Sequence, residues 1–245
     1  MTGTSDTGPT RTLELTTPDG AMPLYEAQPV GSAAERGMIV IQEAFGVNEH
    51  IEDVTRRFAA VGYHAVAPHV FHRTGGGTIP YDRFDLVGPH FAGMSDEGLL
   101  TDLDATISHL ERAGLAPERA GIVGFCMGGR VSFLAAGSRR LGATVGFYGG
   151  GIVHGRSEKM PALLDLVPAM RTPFLGLFGD EDPSIPVEDV EELRRRLAEA
   201  PVDCEIVRYE AAGHGFFSDP RDSYHEESAN DAWQRTLDWF DRFLA

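Results

Sequence analysis

Very little in this chain of 245 residues could cross-link it, anchor it in a bilayer or hold it to a polyanion. Its two cysteines, Cys126 and Cys204, are too few for a disulfide framework, and a domain of this size does not need one. No C-x-x-C pair is present. No apolar run approaches the roughly 20 residues needed to cross a membrane. The opening MTGTSDTGPT lacks the basic and apolar segments of a secretory signal. Basic residues are scarce, with 21 Lys and Arg against 37 Asp and Glu, a net charge of −16. Nucleic acid and anionic lipid surfaces both repel such a chain, so neither is expected as a partner. No internal repeat and no linker interrupts the sequence. These absences lead to the expectation of a cytoplasmic protein in a reducing compartment, where a lone thiol stays usable.

What is present reads as an alternation of strands and helices, with 42% hydrophobic residues to fill a core. Residues 1–10 are polar and Gly/Thr-rich and are expected to form a disordered tail. Residues 11–245 are expected to form a single domain. RTLELTT and MPLYEAQP flank a Pro-Asp-Gly turn, which suggests a hairpin. GMIVIQE, HAVAPHVF, GIVGF, GATVGFYG and TPFLGLFG are apolar runs of the kind buried on both faces of a sheet. Between them stand helical patterns such as HIEDVTRRFAA, where Ile51, Val54 and Phe58 recur on one face. VDCEIVRYE alternates as a strand, and ESANDAWQRTLDWFDRFL closes the chain as an amphipathic helix. The order predicts an α/β fold, a mostly parallel central sheet with helices on both faces. Residues 72–98, rich in Gly and Pro, show no period. A long irregular stretch inside a compact domain is usually functional or mobile.

Three residues of nucleophilic-catalysis type follow predicted strands in the order nucleophile, acid, histidine. Cys126 ends GIVGF within G-x-C-x-G, the pattern of a strained strand-to-helix turn that lifts one side chain above a sheet. Gly124 and Gly128 leave room where strand and helix backbones meet. A helix N-terminus also favours thiolate. The plainer reading is a buried, inert cysteine. The acid comes from FGDEDPSIP, where Asp182 is preferred over Asp180 and Glu181 as the fourth residue of G-x-x-D. A solvated loop capping the next helix is the alternative. His214, between Gly213 and Gly215, follows the last strand. Glu43 ends an apolar strand, where a buried carboxylate needs a partner. Near a thiol it would repel the charged form or take the proton. A helix N-terminal acid is the other reading. His69 and His72 stand three apart without an evident third ligand, so no metal is expected.

At these residues the chain resembles the dienelactone hydrolase (carboxymethylenebutenolidase) family of the α/β-hydrolase superfamily. The matching segments are QEAFGVNEHIEDVTRRFAAVGYHAVAP, GFCMGGR, the YGG at Tyr148, GDEDPSIP, GHGFF and AWQRTLDWF. The resemblance implies that Cys126 is the nucleophile, His214 the base, Asp182 its orienting acid and Glu43 the partner that activates the thiol. The backbone N–H groups of Met127 and Ala44 would meet the oxyanion. It implies opening of small enol-lactones or activated esters through a thioacyl-enzyme, without cofactor, by a monomer or homodimer. The family pattern also supplies two arginines for a substrate carboxylate. One would lie four residues after the histidine, where this chain has Ser218, so Arg221, Arg73 and Arg83 are the candidates. A thioesterase or peptidase-like hydrolase, or a binding module on the same scaffold, is the competing expectation.

Overall fold

The computed structural model describes residues 8–31 and 33–244. An eight-stranded sheet runs through them in the order β1-β2-β4-β3-β5-β6-β7-β8. The strands are β1 (Thr10–Thr17), β2 (Gly20–Ala27), β3 (Arg36–Ile41), β4 (Tyr63–Pro68), β5 (Ala120–Phe125), β6 (Ala143–Phe147), β7 (Phe174–Gly179) and β8 (Cys204–Tyr209). β1 and β2 form the expected hairpin and join β4 antiparallel. All pairings from β4 through β3 to β8 are parallel. β1 begins inside the stretch expected to be a tail, because Thr10 pairs with Ala27 and Gln28 N donates to Pro9 O. The remainder of that expected tail, residues 1–7, lies outside the described residues.

Helices cover the sheet in two groups. α1 (Glu49–Ala60) and α6 (Glu226–Phe243) meet through Phe58, whose ring lies 4.8 Å from Trp233 and 6.1 Å from Phe240. α3 (Asp96–Arg112) packs on α4 (Met127–Ser138), and α5 (Val187–Leu197) continues that layer beside β8; the short α2 (Gly88–Ala92) lies in the irregular region. Local chemistry sets the starts. The Asn48 side chain accepts from Ile51 N, and Ser95 accepts from Gly98 N with Asp96 and Glu97 in the first turn. α4 is buried from Met127 to Ala136, Arg130 included. That buried guanidinium is compensated by Asp96 at 2.5 and 3.0 Å and by the carbonyls of Gly151 and Pro161. Among the described residues no helix is long and apolar enough to cross a membrane.

Residues 72–98 are irregular but docked. Ile79 N donates to Phe45 O at 3.0 Å, and Ile79 and Val87 are buried with Ala44 and Phe45. Gly46 (φ +82°) passes so close to Gly77 O that no Cβ fits. The irregular segment is therefore fastened onto the loop that follows β3.

Three backbones converge where β5 turns into α4. A Cβ on Gly124 would strike Gly128 O, and a Cβ on Gly128 would lie 2.5 Å from Ile41 O and 2.8 Å from Gln42 O. These obstacles are main chain and cannot step aside. Gly128→Ala should destabilise the protein by about 1–3 kcal/mol, lowering Tm by several degrees. Gly88→Ala, where a Cβ meets nothing within 4 Å, should leave Tm within about a degree in the same thermal melts. Equal Tm values for the two variants would show that the close approach is not rigid.

Candidate active site

The parallel strands all end at one edge of the sheet, and the residues singled out in the sequence follow those ends. Glu43 comes two residues after β3, Cys126 directly after β5, Tyr148 directly after β6, Asp182 three after β7, and His214 in the loop beyond β8. Cys126 has φ 54° and ψ −114°, and Tyr148 has φ 37°. These are the two non-glycine residues with positive φ among the described residues, on adjacent strands of one edge. Such strain persists only where the surroundings over-determine it, and it concentrates at functional sites. Cys126 N donates to Phe147 O at 3.0 Å, which fixes the turn against β6.

Asp182 is buried and accepts from both the backbone N–H and the hydroxyl of Ser184, at 2.8 and 2.7 Å, through Oδ1. Its Oδ2 lies 2.7 Å from His214 Nδ1. Burial works to raise the carboxyl's pKa, but the His214 ring and Ser184 outweigh it and hold Asp182 below the usual range. Burial likewise works against a charged His214. The negative charge and hydrogen bond of Cys126, with those of Asp182, overcome this and push the imidazole up to about 10. With Nδ1 occupied by Asp182, Nε2 is the atom left for Cys126. Asp180 is excluded from this role because Arg208 holds both its oxygens, at 2.7 and 2.8 Å.

Glu43 is 1% exposed. Its Oε1 accepts from Tyr148 Oη at 3.3 Å and Arg221 Nη1 at 3.5 Å. Its Oε2 is buried with no hydrogen-bond partner among the described residues. An acceptor stranded in this way calls for a donor. Tyr148 ties the cluster together. Burial first, then the charges of Glu43 and Cys126, push its hydroxyl well above the ordinary value, and its ring lies 5.1 Å from that of His214. Sequence patterns did not mark Tyr148 as more than part of YGG, since nothing local announces a positive φ at a tyrosine. Ser184, Phe45 and Tyr81 were missed for a similar reason: their roles are contacts across the fold.

Of the three arginines considered from the sequence, only Arg221 reaches this cluster. Its guanidinium lies 5.4 Å from the Phe45 ring centroid and 5.5 Å from that of Tyr81, as well as on Glu43. Tyr81 is in turn held by Asn48 at 3.1 Å and Ser218 at 3.4 Å. Arg73 must be reassigned. Both its terminal nitrogens clasp the buried Asp102, at 2.6 and 2.8 Å, and Nε takes Asp19, so it fastens the irregular segment to α3. Arg83 must be reassigned too, because it folds onto its neighbour Asp85 at the surface. The amides of Met127 and Ala44 donate to no protein acceptor among the described residues. For Met127 this follows from its place at the first position of α4. A cavity of about 590 Å³ opens beside the cluster, lined by Asn48, His50, Ile79, Tyr81 and Asp219 among others, and shares no wall with Cys126 or His214. Cys204 lies partly buried at the start of β8, and burial pushes its thiol up to about 11, which suits an inert packing role.

A thiol, an imidazole and a carboxylate so arranged are of the kind that performs nucleophilic acyl chemistry. The model of the "Dienelactone hydrolase family" matches residues 22–244. A "Putative carboxymethylenebutenolidase" of Salmonella typhimurium is 42% identical over 245 aligned positions, covering 93% of this chain and 90% of that protein. A "Probable 2-oxo-3-(5-oxofuran-2-ylidene)propanoate lactonase" of Bradyrhizobium sp. is 31% identical, covering 87% of this chain and 86% of that protein. The crystal structure of a "Putative Dienelactone Hydrolase" from Klebsiella pneumoniae superposes with a TM-score of 0.85 at 39% identity, covering 96% of this chain and 100% of that one. The sheet, its helical layers and the strained turn after β5 are those of an α/β-hydrolase, and the chain belongs to the dienelactone hydrolase family, as a hydrolase of carboxylic ester or lactone bonds.

Proposed function

We propose that the chain opens small enol-lactones or activated esters that carry a carboxylate, through a Cys126–His214–Asp182 triad and a thioacyl-enzyme. The observation that carries the reading is Cys126, held at a strained turn against His214, which is itself fixed by the buried Asp182.

The cycle runs as follows. Cys126 Sγ gives its proton to His214 Nε2 and attacks the carbonyl carbon. The carbonyl oxygen takes the negative charge and is met by the amides of Met127 and Ala44, donors with no competing acceptor among the described residues. The tetrahedral centre collapses and the C–O bond to the leaving enolate breaks. The enolate takes the proton from His214, directly or through the solvent. Water then attacks the thioester with its proton passing to His214, the C–S bond breaks, and the free acid leaves with Cys126 restored. Asp182 holds Nδ1–H throughout, so that Nε2 faces the sulfur. Glu43, with its stranded Oε2, is a second acceptor for the thiol proton before attack. A thiolate is a good leaving group, so this enzyme suits substrates whose own leaving group is stabilised, as an enolate is. Arg221, beside the packed Phe45 and Tyr81 rings, is the cation for a substrate carboxylate. The propanoate in the name of the Bradyrhizobium relative's substrate supports that choice.

Cys126→Ala should abolish hydrolysis of a dienelactone and of an aryl acetate, a loss of at least about 1,000-fold in kcat. Unchanged turnover on both would overturn the reading. Arg221→Gln should raise KM for the carboxylate-bearing lactone by about 10–100-fold relative to the neutral ester in the same variant. A parallel loss on both substrates would show that Arg221 serves Glu43 alone.

The imidazole of His214 should titrate near 10 by NMR, against an ordinary 6.5. Carboxamidomethylation of Cys126 removes the charge that raises it, and the midpoint should fall toward 6.5. A folded value above the unfolded one means that this stabilisation is complete below pH 6.5 and is lost as pH rises through about 10. A midpoint unmoved by alkylation would separate His214 from Cys126.

A further inference from the structure

Far from the carboxyl edge of the sheet, side chains from three elements converge on a single oxygen atom. Glu26 of β2 presents Oε1 to His64 Nε2 of β4 at 2.7 Å and to His109 Nε2, in the last turn of α3, at 2.8 Å. The candidate ligand atoms all lie within 4.8 Å of one another. Glu26 Oε2 is held by Arg11 Nε at 2.5 Å. The Glu26 carboxylate is almost wholly buried, His64 is buried and His109 is half-buried. Burial alone would push the Glu26 carboxyl up, but His109, His64 and Arg11 reverse this and hold it far below the usual range. An ionised carboxylate in a core that could have been apolar is costly to keep. The triad and the cleft around it make no use of it.

Both imidazoles aim the same nitrogen at the same oxygen, and a carboxylate beside two histidines is a donor set for divalent transition metals rather than for calcium or magnesium. The spacing is near what a metal needs. Tetrahedral bonds of about 2.0–2.2 Å place ligand atoms roughly 3.4 Å apart, so the present contacts must open by about 0.6 Å. The chain already supplies the outer support that such sites use, since Arg11 orients the carboxylate through its other oxygen. Two of the three ligands stand on strands and the third on a long helix, which are rigid platforms.

We propose that Glu26, His64 and His109 bind one divalent transition-metal ion, zinc, which pins β2 to β4 and α3. The ion replaces two N–H···O hydrogen bonds with three metal bonds. Each imidazole gives up its Nε2 proton and keeps, or takes, one on Nδ1. The fourth position falls to water on the side of His109, the most exposed of the three ligands. The role is structural. His64 pairs with Gly37 and Gly37 with Ala120, so the site is level with the start of β5, about 20 Å of strand from Cys126. An ion there fastens the edge hairpin without touching substrate.

The test uses the full, tag-free chain after chelator treatment, with Cys126→Ser to remove the thiol beside His214 and Asp182 that could compete for zinc. Zinc chloride is titrated by calorimetry and by thermal melting. One equivalent should bind, and roughly a hundredfold excess over Kd should raise Tm by about 5–10 °C. His109→Gln in the same background should lose both effects. Histidine side-chain nitrogen NMR of the Cys126→Ser protein needs no further variant, and should show zinc shifting Nε2 of His64 and His109 alone. No stoichiometric binding would overturn the site. So would binding undiminished by His109→Gln, or zinc shifts confined to other histidines.

Discussion

The peptide at Cys126 is held in a strained conformation because the backbones of β3, β5 and α4 meet with no side chain between them. Gly124 faces Gly128, and Gly128 faces the carbonyls of Ile41 and Gln42. That contact does two things at once. It forces the thiol up from the end of β5 at the start of a helix, and it brings the loop carrying Glu43 and Ala44 against the same turn. The positive φ of Tyr148, one strand along, extends the constraint to β6. The Cys126 thiol, the stranded Glu43 carboxylate and the amides of Met127 and Ala44 therefore share one rigid floor. The supporting bonds around it, such as buried Arg130 on Asp96, keep that floor from relaxing.

Charge is placed on this floor sparingly. The protein is strongly acidic, yet the cleft holds a guanidinium, Arg221, against two aromatic rings. Glu43, Cys126 and Asp182 supply the negative side, and His214 lies among them with its proton affinity raised. In a buried setting such charges act strongly on one another, so removing one moves the others. Tyr148 makes the coupling concrete, because its hydroxyl donates to Glu43 while its ring lies beside His214.

Strand alternation, the glycine-flanked cysteine and the histidine after the last strand were all legible in the sequence, because each is written in contiguous residues. Of the three neighbouring acids, Asp182 is the one that lies beside His214, whereas Asp180 is spent on Arg208. What was not legible depends on contacts between distant segments. Arg73 and Arg221 look alike as residues, and only the presence of Asp102 beside one and of Glu43 beside the other separates them. The irregular 72–98 stretch gave no sign that it would dock on Phe45 through Ile79. His69 and His72, close in sequence, drew attention as half a metal site, yet His72 is taken by Asp102. The cluster of Glu26, His64 and His109 is assembled from three elements and has no sequence spacing to betray it.

The most direct test of the account is where the acyl group sits during turnover. The protein would be mixed with an aryl ester, quenched in acid within the first turnovers, digested and mapped by mass spectrometry. The account predicts the acyl mass on the peptide carrying Cys126, released by hydroxylamine as a thioester would be. An acyl group on Ser184, Ser218 or any other side chain would contradict it.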